Sequence, residues 1–152
     1  LGLAKEFPTA DVVGTDISET ALEYARQNAQ MNGIGNVIFL EGNLFEPLEG
    51  MRFDIVVSNP PYIRRAEIGS LQREIGEWEP MEALDGGEDG LRFYREILLH
   101  SGEHLEEDGF IVMEMGDGES GDVAAMAKIL GFKNISVRKD YSATERILHI
   151  AF

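Results

Sequence analysis

The consecutive residues Asn59, Pro60, Pro61 and Tyr62 could bind a planar amide or amine. They follow the apolar run 53–58, which predicts a buried strand that two prolines cannot continue. The Asn59 amide oxygen can accept one N–H of a substrate –NH2 group. The Pro60 carbonyl, held in one direction by the fixed φ of proline, can accept the second. The Tyr62 ring can then lie flat against the group. The run therefore predicts a slot that exposes a nitrogen to attack; the alternative is a strand-ending turn with a buried tyrosine.

Two other predicted strands also end in residues that could bind a ligand. Asp16 closes the run 11–16, where a carboxylate can accept both hydroxyls of a ribose; it could equally be a helix N-cap or a loop acid. Asn43 follows the strand at 37–40 and could hydrogen-bond a purine edge, with Leu44 packed on the purine face; the alternative is an ordinary polar turn. Ligands of open α/β sheets bind at the carboxyl ends of strands, so these residues are candidates for a cofactor site.

The remaining chemistry-bearing residues point to no metal site and no cysteine chemistry. The three histidines are scattered without metal-ligand spacing, and there is no cysteine. Glu114 lies in a late predicted strand, where it could face the site or accept structural hydrogen bonds. Three arginines near the proline turn could offset local acidity where a macromolecular substrate docks, or belong to a mixed surface: Arg64, Arg65 and Arg73. Trp78 is interpreted as a core anchor, with a substrate wall as the alternative.

The elements that position these residues alternate between strands and helices. Helices are predicted at 1–7, 18–33, 90–105 and 120–130, and strands at 11–16, 37–40, 53–58, 110–115, 135–139 and 146–152. An Asp108-Gly109 turn is expected before the fourth strand, and the stretch 63–90 is interpreted as a surface excursion over a site. This alternation predicts an α/β fold with a mostly parallel sheet and an antiparallel C-terminal strand at or near one edge.

Composition narrows the function classes. The chain has 152 residues, of which 43% are hydrophobic and 27% charged, so one domain over 1–152 is expected. The net charge of −15 disfavours nucleic acid as the primary partner. The apolar runs are too short to cross a bilayer, and no secretory signal peptide is recognisable. Together with the absence of cysteine, this favours a cytoplasmic protein. The start at Leu1 is typical of a piece of a longer protein.

Four segments resemble the release-factor glutamine N5-methyltransferases (HemK/PrmC type), in register along the whole chain. They are FDIVVSNPPYI, EWEPMEALDGGEDGLRFYREIL, a strand ending EMG, and KDYSATERIL. The resemblance implies a Rossmann-like, class I S-adenosylmethionine-dependent methyltransferase fold, and 1–152 would be part of its catalytic domain. It also implies S-adenosylmethionine as cofactor. The expected substrate is the glutamine side-chain amide in the Gly-Gly-Gln loop of peptide-chain release factors, the proteins of translation termination.

The resemblance assigns roles by position. Asp16 matches the acid that holds the cofactor ribose, with Ile17 beside it, and Asn43 and Leu44 fall in the segment that contacts the adenine. The turn Asn59–Tyr62 matches the one that binds the glutamine amide beside the methyl donor, so its asparagine is counted with both sites.

Two departures from the family pattern accompany these assignments. Many relatives carry Asp at the position of Asn43. The family's first strand, its Gly-rich cofactor loop and its N-terminal helical domain have no counterpart in this sequence. That strand is central in the family's sheet, between the strands that end here at Asp16 and Asn59, so unpaired backbone is expected there.

Two alternative functions remain at this stage. An N6-adenine or N2-guanine nucleic-acid methyltransferase presents a similar planar amine, although the acidic charge argues against it. The second is a non-catalytic fragment, because the chain without the Gly-rich loop is expected to bind S-adenosylmethionine weakly or not at all.

Overall fold

The computed structural model describes residues 1–71 and 79–152, in which the predicted strands and helices follow one another in the predicted order. A short helix at Arg65–Ile68, inside the predicted excursion over 63–90, was not predicted. Arg73 and Trp78, for which roles were predicted, lie outside the described residues. The elements are α1 (Gly2–Glu6), β1 (Val12–Asp16), α2 (Glu19–Met31), β2 (Val37–Glu41), β3 (Phe53–Ser58), α3 (Arg65–Ile68), α4 (Arg92–His104), β4 (Leu105–Glu114), α5 (Ser120–Ile129), β5 (Asn134–Lys139) and β6 (Glu145–Ala151), with short 3-10 turns at Glu46–Leu48 and Met81–Ala83.

The first compact unit, Leu1–Met51, is built on the parallel pair β1 and β2. The register joins Asp16 to Glu41, so both strands end at the same edge of the pair. Helix α2 packs on both strands. It begins as predicted, because the Ser18 hydroxyl accepts a hydrogen bond from the Ala21 amide at 3.2 Å and satisfies a free N–H of the first turn.

The second unit, Arg52–Phe152, contains a four-stranded sheet in the order β3-β4-β6-β5. Strands β3 and β4 are parallel, whereas β6 runs antiparallel to both β4 and β5. The predicted mostly parallel sheet with an antiparallel C-terminal strand is therefore confirmed, with β6 next to the edge strand. The largest fully buried side chains of this unit lie on α4, β4, α5 and β6 and at the end of β4: Tyr94, Ile97, Leu98, Ile111, Met113, Met115, Val123, Leu148 and Ile150.

Strand β4 is longer than predicted. It begins at Leu105, directly after α4, rather than at Phe110. The predicted Asp108-Gly109 turn lies inside the strand as an irregularity, because two steps along β3, from Phe53 to Ile55, correspond to five along β4. Gly109 allows this bulge: a Cβ there would lie 3.0 Å from the Phe53 carbonyl oxygen. The extra residues loop out without ending the pairing.

Within the described part of the chain, β1 pairs only with β2 and β3 only with β4, so each has one edge without a strand partner. Ile55 and Val57 of β3 are 46% and 53% exposed, which is unusual for a strand of apolar residues. In the same described residues, no helix is both long and apolar enough to span a membrane.

Candidate active site

The Asn59–Tyr62 turn stands directly after β3, in the position that the sequence predicts. Ser58, the last residue of β3, is in register with Met113 of β4, so the turn begins beside the carboxyl end of β4. Asn59 is exposed, Pro60 is buried, and Tyr62 is half-buried. Among the described residues, none donates a hydrogen bond to the Asn59 side-chain oxygen or to the Pro60 carbonyl. Within the described residues, neither acceptor therefore has a protein donor.

The backbone after the turn is held by the loop that precedes α4. The Ile63 amide donates to the Leu84 carbonyl at 3.0 Å, and the Ile63 carbonyl accepts from the Gly86 amide at 2.8 Å. Two residues after Ile63, the Arg65 amide donates to the Gly87 carbonyl at 2.8 Å. These bonds include an isolated parallel bridge, so the predicted excursion over 63–90 returns to the turn and braces it.

An ion pair reinforces this brace. Arg65 Nε lies 2.9 Å from Asp85 Oδ2, and the other carboxylate oxygen of Asp85 accepts from the Gly87 amide at 2.9 Å. The Gly87 N–H, followed by the Arg65 guanidinium, lowers the pKa of the Asp85 carboxyl. The aspartate therefore ties the loop to the residues after the turn while it is ionised.

Two glycines permit the close approach of this loop to the turn. A Cβ on Gly86 would lie 2.8 Å from the backbone Cα and C of Tyr62. A Cβ on Gly90, whose φ is +80°, would lie 2.6 Å from the Tyr62 carbonyl oxygen. Only glycine fits at either position without moving the backbone, so the LDGGEDGL segment is matched in shape to the turn.

Tyr62 is anchored through its hydroxyl. The phenol donates to Glu114 Oε1 at 3.4 Å, across from the end of β3 to the end of β4. Desolvation of the phenol, followed by the negative charge of Glu114, raises the pKa of Tyr62. Of the two roles considered for Glu114, accepting a structural hydrogen bond is the one observed, and it orients the aromatic ring of the turn.

The candidate cofactor residues of the first unit gather at the shared edge of β1 and β2. The Gly42 amide donates to the Asp16 carbonyl at 3.0 Å, and Thr15 Oγ1 donates to the Leu44 carbonyl at 3.0 Å. Leu44 has a φ of +48°, a conformation that is rare for a leucine. These contacts bring Asp16 and Asn43 to one edge, as the sequence predicts.

Each of these residues retains groups that a ligand could use. Asp16 Oδ1 accepts from the Ser18 amide at 2.8 Å, so the loop-acid role is present; Ser18, rather than Asp16, caps the helix. Within the described ranges, Asp16 Oδ2 accepts no hydrogen bond. Ile17 is 56% exposed and offers an apolar surface beside it. The backbone N–H of Asn43 donates to Glu46 Oε2 at 3.2 Å. The side-chain amide of Asn43 takes no part in this hydrogen bond.

One feature of the second unit was not predicted from the sequence, the buried carboxyl group of Glu119. Glu119, between β4 and α5, accepts hydrogen bonds from the Tyr94 phenol and from the Gly116 amide, each at 3.0 Å. Burial raises the pKa of Glu119, and the hydrogen bonds from Tyr94 and Gly116 oppose that shift. The sequence carried one signal for this residue. Glu119 directly precedes the helix predicted from Ser120, at a position where Ser, Thr, Asp or Asn is preferred.

Comparison with known proteins agrees with this fold. The chain is similar in fold to a solved methyltransferase from Pyrococcus furiosus, with a TM-score of 0.70 and 20% identity; the match covers 97% of this chain and 66% of that chain. The fold is that of the class I methyltransferases. Residues 1–114 match a family described as "Methyltransferase domain", and the chain belongs to this family.

Two curated relatives are more similar in sequence than this solved structure, and their names agree with the family that the motifs resemble. A protein of Thermodesulfovibrio yellowstonii is 42% identical over 148 residues, which cover 97% of this chain and 53% of the relative. One of Geobacter sulfurreducens is 43% identical over 148 residues, which cover 97% of this chain and 52% of that relative. Both are called release factor glutamine methyltransferase. The chain spans about half the length of these curated relatives.

Proposed function

We propose that the full-length protein containing this chain transfers a methyl group from S-adenosylmethionine to the side-chain amide nitrogen N5 of a release-factor glutamine. The target is the glutamine of the Gly-Gly-Gln loop. The observation that carries the proposal is the Asn59–Tyr62 turn, whose Asn59 and Pro60 oxygens are free in the described structure. Relatives that are 42–43% identical over 97% of the chain bear the corresponding name, which supports the substrate.

The turn is suited to a weak nucleophile. An amide nitrogen has a delocalised lone pair, so it must be held with its two hydrogens engaged and its plane fixed. Asn59 and the Pro60 carbonyl accept those hydrogens, and the Tyr62 ring packs against the plane. As the nitrogen gains positive charge, the two fixed acceptors stabilise that charge more than they stabilise the ground state. The nitrogen proton becomes acidic during transfer, so no strong general base is required.

Most of the acceleration is expected from positioning. The turn has few ways to move, because two prolines restrict its φ angles and the Gly86 and Gly87 backbone braces the residues that follow. The hydrogen bond from Tyr62 to Glu114 orients the ring. The amide would therefore enter a slot that is already formed.

The first unit carries groups that fit S-adenosylmethionine. The Oδ2 of Asp16, which accepts no hydrogen bond from the described residues, suits a ribose hydroxyl, and Ile17 lies exposed beside it. Leu44, which is half-buried, offers apolar surface to the adenine. Asn43 has a side-chain amide for the purine edge. When bound, S-adenosylmethionine supplies an electrophilic methyl group on a sulfonium.

The substrate also implies partners and location. A release factor acts on the ribosome, so the proposed reaction belongs to the cytoplasm and to translation termination. The protein partner is the release factor itself, and no direct contact with nucleic acid is expected from a chain with a net charge of −15. No membrane attachment is part of the proposal.

The proposal is tested by offering two substrates in parallel. The full-length protein is incubated with methyl-labelled S-adenosylmethionine and either a purified release factor or duplex DNA. Label in the release factor, lost when its Gly-Gly-Gln glutamine is replaced, supports the proposal. Label in DNA would instead support a nucleic-acid amino-methyltransferase. Label in neither substrate would contradict the proposed substrate.

A further inference from the structure

Glu119 is a buried acid that the proposed chemistry does not use. It is 8% exposed and lies in the loop between β4 and α5. A buried carboxylate is costly unless hydrogen bonds compensate it. Here Oε2 accepts from the Tyr94 phenol and from the Gly116 amide, each at 3.0 Å. The Tyr94 phenol also lies 3.2 Å from the same amide, so the three groups form one closed cluster.

The second carboxylate oxygen of Glu119, Oε1, lies near Gly90, the glycine that approaches the Tyr62 backbone. A Cβ built on Gly90 would lie 2.7 Å from Glu119 Oε1 and 2.6 Å from the Tyr62 carbonyl oxygen. The carboxylate oxygen and the Tyr62 carbonyl oxygen therefore both lie close to the place that a Gly90 side chain would occupy, so Glu119, Gly90 and the turn meet at one point. Glu119 Oε1 thus forms part of the close packing in which Gly90 meets the Tyr62 backbone.

The same cluster also reaches the residue that anchors the Tyr62 ring. The Tyr94 phenol lies 3.3 Å from the carbonyl oxygen of Glu114, whose side chain accepts the Tyr62 hydrogen bond. Tyr94 is completely buried on α4, so its phenol has little freedom to move. Glu119 thus lies against two residues that contact the surroundings of Tyr62, namely Gly90 and Tyr94.

We propose that Glu119 is a positioning residue for glutamine binding: together with Tyr94, Gly116 and Gly90, it fixes the backbone of Tyr62. The inference rests on the proposed function for its substrate. It assigns Glu119 no contact with the glutamine or with the cofactor. Its role is to keep the slot in the geometry that orients the amide nitrogen.

The test compares two substitutions of Glu119 with a nearby control in the full-length protein. Glu119→Ala removes both carboxylate oxygens, whereas Glu119→Gln keeps an acceptor of nearly the same shape. Asp117→Ala is the control, because Asp117 is an exposed acid in the same loop. Each variant is assayed for kcat and for the KM values of the release factor and of S-adenosylmethionine.

For Glu119→Ala we expect kcat/KM for the release factor to fall by about tenfold or more, because small misplacements of a reacting group are costly. The KM of S-adenosylmethionine should stay within about twofold, and Glu119→Gln should recover most of the loss. General destabilisation would instead alter both KM values and would not be rescued selectively. Equal kinetics for Glu119→Ala and Asp117→Ala would overturn the inference while leaving the proposed function intact.

Hydrogen exchange supplies a readout that does not depend on activity. The amides of Ile63 and Gly86 join the turn to the loop, so Glu119→Ala should increase their exchange by about tenfold or more. Amides of the β5–β6 pair serve as the internal reference and should not change. Unchanged exchange at Ile63 and Gly86 would overturn the inference. This outcome is independent of the methylation assay, so it can be told apart from a failure of the proposed function.

Discussion

The phenol of Tyr62 donates a hydrogen bond to Glu114 Oε1 at 3.4 Å, although the two residues are 52 positions apart. The parallel pairing of β3 and β4 produces this contact, because it brings the ends of the two strands together. The aromatic ring proposed to hold the substrate is thus oriented by a carboxylate of the neighbouring strand.

This relationship predicts an alkaline titration of Tyr62. Desolvation, followed by the charge of Glu114, raises its pKa from the ordinary value of 10.0. A raised folded pKa means that the stabilisation is fully present below about pH 10 and is lost as pH rises through the folded value. The difference in tyrosinate absorbance between the full-length protein and Tyr62→Phe should therefore have its midpoint above pH 10.

Replacing Glu114 separates the two causes of that shift. Glu114→Gln removes the negative charge but keeps an acceptor, so the Tyr62 midpoint should move down while remaining above 10 through desolvation. A Tyr62 midpoint at or below pH 10 in the unsubstituted protein would contradict the half-buried, hydrogen-bonded phenol.

Substituting Asp16 distinguishes its loop contact from its proposed cofactor contact. Asp16→Asn retains an oxygen for the Ser18 amide but removes the charge and one acceptor. We expect S-adenosylmethionine to bind the full-length variant about tenfold more weakly or worse, since hydrogen bonds to charged groups contribute about 1.5–3 kcal/mol. Calorimetric titration measures this, with Asp11→Asn as the matched control on an exposed acid. Equal affinities for the two variants would remove Asp16 from the cofactor site.

The glycine brace predicts a steric effect on stability. Gly86→Ala places a Cβ 2.8 Å from the Tyr62 backbone, and relieving such overpacking costs about 1–3 kcal/mol of unfolding free energy. Gly69→Ala is the control, because its Cβ would meet nothing within 4 Å and its φ is −67°. Urea unfolding of the full-length variants gives the comparison. Equal unfolding free energies would show that the loop can move away from the turn at little cost.

Local patterns predicted the order of the elements and the placement of the turn. The apolar run before Asn59 and the capping Ser18 each specify a structure within a few residues, and both are found as predicted. Strand β4 was predicted too short because Asp108-Gly109 has the composition of a turn. The pairing with β3 accommodates it as a bulge instead.

Contacts between distant segments could not be predicted from local patterns. Tyr94 and Glu119 are 25 positions apart, and the packing of α4 beside the end of β4 decides their hydrogen bond. The clustered glycines of LDGGEDGL indicated a loop, but their fit against Tyr62 depends on where the chain returns after a long excursion. The roles of Asn59, Asp16 and Asn43 as ligand-binding residues remain predictions. They are supported by the exposure of Asn59 and Asp16 and by side-chain acceptors that receive no hydrogen bond from the described residues, whereas Asn43 is half-buried.

The central claim, that Asn59 and the turn it begins hold the glutamine amide for methyl transfer, is tested most directly by locating the methyl group. The full-length protein and its Asn59→Ala variant are each incubated with S-adenosylmethionine and a release factor, and the modified peptide is analysed by mass spectrometry. We predict a methyl group on the glutamine side-chain nitrogen, with a rate that falls by about 10²–10³-fold in the variant. Methylation of another residue, or an unchanged rate in the variant, would contradict this account.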